Sequence, residues 1–211
     1  YGLDEAIRNF AVNARQALHW FEENIGLRMR VIRRCPDYYF GTCNDGVAEG
    51  RMLETAPFPA ESLGEWQEKT RVSPIMPYGL LHDEMLDWGG TSQIAKWDFS
   101  VMGDRLARDE RCLGPGLAAS FVKGAIDRGI GLMTGTSAEE LLSDGARITG
   151  VRAHCDGRDL FIRARRGVLV AVSSYERSPD LSRTVGSQLQ IGSLASISSV
   201  DGANFRLAGP F

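Results

Sequence analysis

Four cysteines (Cys35, Cys43, Cys112, Cys155) and three histidines (His19, His82, His154) are the side chains best suited to hold a metal or attack an electrophile. Their spacing serves neither purpose. No C-x-x-C and no H-x-x-x-H occurs, so a zinc site is not expected. Four scattered cysteines are also too few for a disulfide scaffold and read as reduced thiols. Two other groups hold more promise. Gly114-Pro115-Gly116 stands at the start of a helical pattern, where free backbone N–H groups suit a polar or anionic partner, although an ordinary helix can begin the same way. Tyr38, Tyr39, Trp66, Tyr78, Trp88 and Trp97 are strewn through a stretch rich in proline and glycine. They could line an apolar cleft or anchor irregular loops to a core, and composition favours anchoring.

The elements that must position these groups follow from periodicity. Over residues 1–28, Ile7, Phe10, Ala11, Ala14, Leu18, Phe21 and Ile25 recur at spacings of three and four, predicting an amphipathic helix with Asp4 as N-cap and Gly26 as its left-handed end. Residues 29–109 read as a long irregular insertion, broken by Pro36, Pro57, Pro59, Pro74 and Pro77. Residues 110–211 regain order. Pro115 opens a helix with Leu117, Phe121, Val122, Ala125 and Ile126 on its apolar face and Gly129 at its end. Ile130 to Thr134 reads as a strand. Val151, Ala153 and Cys155 alternate with polar neighbours before Asp156-Gly157, and Leu160, Ile162 and Ala164 after it, which predicts a hairpin. His154 lies on its polar side and reads as a solvated strand residue. Val168 to Val172 is apolar without alternation, as in a parallel strand buried on both faces.

The 211 residues carry 24 basic and 27 acidic side chains, a net charge of -3, and are 43% hydrophobic. Those values fit a globular α/β protein and argue against disorder or a coiled coil. With a pI near 5.7 and no basic stripe, nucleic-acid binding is not expected. No apolar run approaches the roughly 20 residues of a membrane helix. No signal peptide is visible, which with the reduced thiols suggests a cytoplasmic setting. A start on Tyr1 rather than Met suggests a piece of a longer protein.

Several segments, in order, resemble the FAD-dependent fumarate reductase, succinate dehydrogenase and 3-ketosteroid dehydrogenase superfamily. They are Ser143 to Arg152, similar to its D-G-R-V-x-G-V hairpin; Ile162 to Ala171, similar to A-R-x-G-V-V-L-A; Gly114 to Ser120; and Val200-Asp201-Gly202-Ala203, similar to T-G-D-G. Pro36-Asp37-Tyr38-Tyr39, Glu49-Gly50-Arg51 and Ser62-Leu63-Gly64 resemble the 3-ketosteroid branch. The resemblance implies the middle part of a Rossmann-like FAD-binding domain with an antiparallel β-meander, holding FAD in the complete protein.

It further implies that Gly114, Gly116, Ser137, Ala171, Ser173, Ser174, Asp201 and Gly202 lie at the cofactor and that Tyr38 is a catalytic hydroxyl supporting the base, with Tyr39 and Tyr78 structural. The implied reaction removes two hydrogens from a carbon–carbon bond beside the ketone of a small apolar, steroid-like substrate. Two departures stand out. Ser173-Ser174 replaces the family's Gly-Gly, and no G-x-G-x-x-G precedes the first helix. They leave room for a remnant that holds no flavin, or for a split enzyme whose partner chain supplies the absent parts. A fumarate-reducing chemistry is the other enzymatic reading, with Arg111 as its candidate proton donor.

Overall fold

The first helix forms where the apolar spacing predicts it. In the computed structural model, which describes residues 3–72, 79–172, 174–184 and 200–210, α1 spans Leu3–Ile25, and Gly26 ends it at φ 68°. Asp4 lies inside the first turn rather than at the cap. The chain divides into two compact units, Tyr1–Leu132 and Met133–Phe211.

In the first unit, only the C-terminal half of α1 packs. Phe21 meets Phe121 edge-to-face at 5.2 Å, whereas Ile7 and Phe10 stay exposed. The partner helix α4 (Leu113–Asp127) packs through Phe121, Val122 and Ile126 of the expected face and, more deeply, through a stripe of small residues. Leu117 and Phe121 are partly exposed, and the buried stripe is Gly116, Ala119, Ser120 and Gly124. Small side chains let α1 come close: a Cβ on Gly124 would press into Ile25. Helix α4 ends as predicted, with Gly129 at φ 63° and the N–H groups of Gly129 and Ile130 returned to Ile126 and Ala125. Ala119 also joins Ala60 and Leu63 in a small core, flanked by Phe58, Trp66, Val122 and Ile126.

The irregular stretch contains short elements. Strands β1 (Met29–Val31) and β2 (Leu53–Thr55) pair antiparallel, as do β3 (Phe58–Pro59) and β4 (Glu110–Arg111). Helix α2 covers His82–Asp87, and α3 covers Phe99–Ala107, capped by Asp98 Oδ1, which accepts from the Ser100 and Val101 N–H groups. Trp66 packs on the core and Trp97 Nε1 donates to Gly90 O at 3.1 Å, so these two aromatics anchor loops as expected. Tyr78 lies outside the described residues.

The second unit is built on an antiparallel meander of β5 (Thr136–Ser143), β6 (Ile148–Cys155) and β7 (Arg158–Arg163). The β6–β7 hairpin is the predicted one. Asp156 (φ 50°) and Gly157 (φ 76°) both take the left-handed backbone that a two-residue turn requires. Strand β5 replaces the strand expected at Ile130 to Thr134, which is irregular. Thr-Ser-Ala-Glu-Glu-Leu-Leu-Ser has no alternation to announce it. Its register on β6 shifts between Ala138 and Glu140, so pairing rather than propensity makes it a strand.

Val168 to Val172 is a second correction. The segment is not a strand and not buried; Leu169 is 90% exposed. A strand exists only with a partner ladder, and none of the described strands pairs with it. Short helices α5 (Pro179–Thr184) and α6 (Ala203–Ala208) complete the unit. None of the described helices is long and apolar enough to cross a membrane.

Candidate functional site

Tyr38 sits at the first central position of a turn closed by the Phe40 N–H donating to Asp37 O at 3.0 Å. Thr42 and Cys43 then donate to Tyr39 O, winding the chain back on itself. Gly46 completes the winding, because a Cβ there would strike the Phe40 backbone. Asp37 closes the loop at its mouth. Its N–H donates to Val47 O at 3.0 Å, its Oδ2 accepts from the Val47 N–H at 3.0 Å, and Arg51 Nη1 donates to the same oxygen at 2.8 Å. Pro-Asp-Tyr-Tyr and Glu-Gly-Arg, separate in sequence, are therefore two ends of one clasp. Tyr38 is 90% exposed and its hydroxyl has no hydrogen-bond partner among the described residues. Tyr39 is exposed too, so its structural contribution is its carbonyl, not its ring.

The clasp stands on a buried ionic node. Arg34 N–H donates to Glu49 at 2.8 Å, and the Arg34 side chain pairs with Asp87. Arg33 donates to Asp87 and, through its N–H, Nε and Nη2, to Asp83, which Arg30 also reaches at 3.1 Å. Asp83 is 1% exposed, and its carboxyl is held below the ordinary range by the Arg33 side chain, which outweighs burial. Glu54 of β2 accepts the first N–H groups of α2, from His82 and Asp83. Burial pushes the Glu84 carboxyl up, but Arg105, bonded through both oxygens at 2.6 Å, and the Leu81 N–H bring it below the ordinary value. Nothing in the residue spacing announces this node. Its partners lie some fifty positions apart, as Arg33 and Asp83 do.

Arg111, the candidate proton donor of the fumarate-reducing reading, is committed to neighbours within its own unit. It is 6% exposed; Nε and Nη2 grip Asp109, while Nη1 and Nη2 donate to Thr70 O and Gln67 O. Arg111 also holds the Asp109 carboxyl low. Beside it, burial pushes the Cys112 thiol up to about 11, so this cysteine is inert. The adjoining cavity, walled by Val72, Leu106, Cys112 and Pro115, has a volume of ≈ 30 Å³, enough for roughly one water.

Of the glycine pair, Gly114 is exposed at the first turn of α4, but Gly116 is buried against the Arg111 carbonyl, where a Cβ would not fit. Gly116 is therefore a packing glycine. In the second unit, Ser174 O accepts from the Gly202 N–H at 3.0 Å and Val200 O from the Arg177 N–H at 2.9 Å. Gly202, at φ 84°, caps α6, and a Cβ there would collide with Leu181. Asp201 is paired with Arg206 at 3.0 Å. This clasp brings Ser174, Asp201 and Gly202 together. Ser137 lies exposed on β5 opposite His154, and Ala171 is exposed in irregular backbone; neither joins the clasp through a hydrogen bond. Ser173 lies outside the described residues. Beside the clasp, Glu176 Oε2, Ser182 Oγ and Asn204 Oδ1 are buried without a partner. Residue type alone does not single out these three, since each is an ordinary surface residue type.

The chain is a mixed helix and sheet protein with small antiparallel sheets and one loop clasp in each of its two units. Comparison with known proteins names the class: the chain belongs to the FAD-binding domain family, whose model matches residues 2–208. No protein of curated function matches it in sequence. In structure it is similar to 3-ketosteroid Δ1-dehydrogenase from Sterolibacterium denitrificans, solved with 1,4-androstadiene-3,17-dione, at TM-score 0.77 and 23% identity, covering 95% of this chain. The chain spans 40% of that protein's length.

FAD presents donor hydroxyls on its ribityl and ribose parts and an anionic pyrophosphate between them. The unpaired acceptors Glu176 Oε2 and Asn204 Oδ1, with the Ser182 hydroxyl, fit the hydroxyl-bearing part. The pyrophosphate needs a helix N-terminus open to it, as in G-x-G-x-x-G. No such motif occurs here, and Gly116 is closed by Arg111.

Proposed function

We propose that this chain forms part of an FAD-dependent oxidoreductase that dehydrogenates a carbon–carbon bond next to the ketone of a steroid-like substrate. The observation that carries the reading is Tyr38: a hydroxyl with no hydrogen-bond partner among the described residues, projecting from a loop that Asp37 and Arg51 close. A tyrosine suits this chemistry because it can donate or accept a proton without bringing charge into an apolar site. Similarity in fold to a 3-ketosteroid Δ1-dehydrogenase supports the substrate class. The fumarate-reducing alternative loses ground because Arg111, its candidate donor, is fully engaged.

Bound FAD supplies the hydride acceptor. Ser174, Asp201 and Gly202, with Glu176, Ser182 and Asn204, would hold and orient its hydroxyl-bearing part. Tyr38 supports the catalytic base through its hydroxyl. Anaerobic mixing of the full-length flavoprotein with a 3-ketosteroid tests the reading: bleaching of the flavin band is expected. No bleaching by any 3-ketosteroid, with reoxidation of the chemically reduced flavin by fumarate, would replace it with the other chemistry.

The 211-residue chain by itself is expected to bind FAD weakly or not at all, because nothing described in it serves the pyrophosphate. Absorbance near 450 nm after gel filtration measures this, and a stoichiometric yellow complex would show that another part of the chain holds the phosphates.

A further inference from the structure

We infer that Asp37 is a positioning residue whose carboxylate, clamped to Arg51, sets the direction in which Tyr38 projects; the inference rests on the steroid-dehydrogenase reading of Tyr38 above. The geometry is specific. One oxygen, Asp37 Oδ2, takes both the Val47 N–H and Arg51 Nη1, at 3.0 and 2.8 Å. Arg51 Nη2 reaches on to Asp45 O at 3.3 Å, inside the same loop. The Asp37 backbone meets Val47 a second time through its own N–H, so residues 37 and 47 are joined in both directions.

Tyr38 is the next residue after this joint. Its side chain finds no packing, being 90% exposed, and its hydroxyl has no partner among the described residues. The backbone then sets where its Cα–Cβ bond points, and the ring turns about that bond. That backbone is stiffened on one side by Pro36, which locks its own φ, and on the other by the turn to Phe40, with Gly46 pressed against Phe40. Removing the carboxylate releases the Val47 N–H and Arg51 together, opens the mouth of the loop and lets Tyr38 sweep a wider arc. A displacement of about 1 Å in a reacting group can cost on the order of 10²-fold in rate. Asp37 is the neighbour of a catalytic group here, not a proton carrier itself, because both of the contacts to its Oδ2 are structural.

The test uses the full-length flavoprotein with Asp37→Ala, Asp37→Asn, Arg51→Ala and Arg51→Lys, each made in the native and in the Tyr38→Phe background. Flavin reduction by a 3-ketosteroid gives kcat and KM, and hydrogen exchange of residues 37–47 reports loop closure independently. Asp37→Ala and Arg51→Ala are expected to lower kcat by about 10-fold or more with little change in KM, and to speed exchange across the loop. Arg51→Lys should recover part of the loss, and Asp37→Asn, which keeps an oxygen for the Val47 N–H, should fall between. In the Tyr38→Phe background the same changes should cost almost nothing further, because they act through Tyr38.

Unchanged kcat in Asp37→Ala and Arg51→Ala, while Tyr38→Phe is impaired, would overturn the positioning role and leave the function intact. Full, additive losses in both backgrounds would also overturn it, showing that the clamp acts on something else. A Tyr38→Phe enzyme with native rates would remove both the inference and the steroid reading beneath it.

Discussion

Asp83→Ala should cost the protein about 1–3 kcal/mol of folding stability, the range for hydrogen-bond donors left without their acceptor, since Asp83 is buried while the Arg30 and Arg33 side chains are partly exposed. The carboxylate is 1% exposed and accepts four hydrogen bonds from Arg30 and Arg33, one of them from a backbone N–H. Alanine would take away the carboxylate that Arg30 and Arg33 share, leaving Arg33 to Asp87 and Arg30 to Glu54, and would free the start of α2 from Arg33. Urea unfolding of the full-length protein measures the loss, and a midpoint indistinguishable from the native protein would show that water reaches the node and replaces the carboxylate. Asp83→Asn should cost less, since its oxygen can still accept the Arg33 N–H.

The sign of the pH dependence follows from the same contact. The Asp83 carboxyl ordinarily titrates at 3.8 and is lowered in the fold, chiefly by the Arg33 side chain. Its contribution is complete above the ordinary value and is lost as pH falls through the lowered one. Stability should therefore hold from neutral pH down to about pH 4 and decline below it, with a shallower decline in Asp83→Ala.

Tyr38→Phe is expected to lower turnover of the full-length enzyme on a 3-ketosteroid by roughly 10²-fold or more, the range for removing a positioned proton-relay hydroxyl. Folding should hardly change, because the Tyr38 hydroxyl has no partner among the described residues. Tyr39→Phe is the matched control. Its ring is also exposed and its structural work is done by its carbonyl, so turnover should stay near native. Rates of flavin reduction decide between them. If Tyr39→Phe loses activity and Tyr38→Phe keeps it, the two roles are exchanged.

Where local chemistry decides the backbone, the sequence is a good guide. Asp156-Gly157 demands a left-handed pair and receives it; Gly26 and Gly129 end helices because only glycine takes that backbone cheaply. Where packing or pairing decides, the guide fails in an instructive way. The helix α4 buries its small residues most deeply because α1 must come close, leaving Leu117 partly exposed and Phe121 to meet Phe21 edge-to-face. Strand β5 carries Glu139 and Glu140 and exists through its register on β6. Val168 to Val172 has the composition of a buried strand but no ladder beside it among the described residues.

The site divides along the same line. Pro-Asp-Tyr-Tyr and Glu-Gly-Arg could be recognised as motifs, yet the ion pair that joins them spans fourteen positions and is visible only in three dimensions. The unpaired oxygens of Glu176, Ser182 and Asn204 are invisible in sequence for another reason. Their distinction is burial without a partner, which no residue type encodes.

The unequal burial of the thiols gives the protein a built-in clock for local opening. Cys43 is exposed and lies on the Tyr38 loop, whereas Cys112 is 3% exposed at the start of α4 with its thiol pushed up to about 11. The thiolate is what attacks an alkylating reagent, and it must be reached, so exposed Cys43 should be labelled ahead of Cys112, which reacts only when the region around α4 comes apart. Mass-resolved labelling over time would then report two events separately in one sample: a label arriving at Cys43 without disturbing the fold, and the rare excursions that bare Cys112.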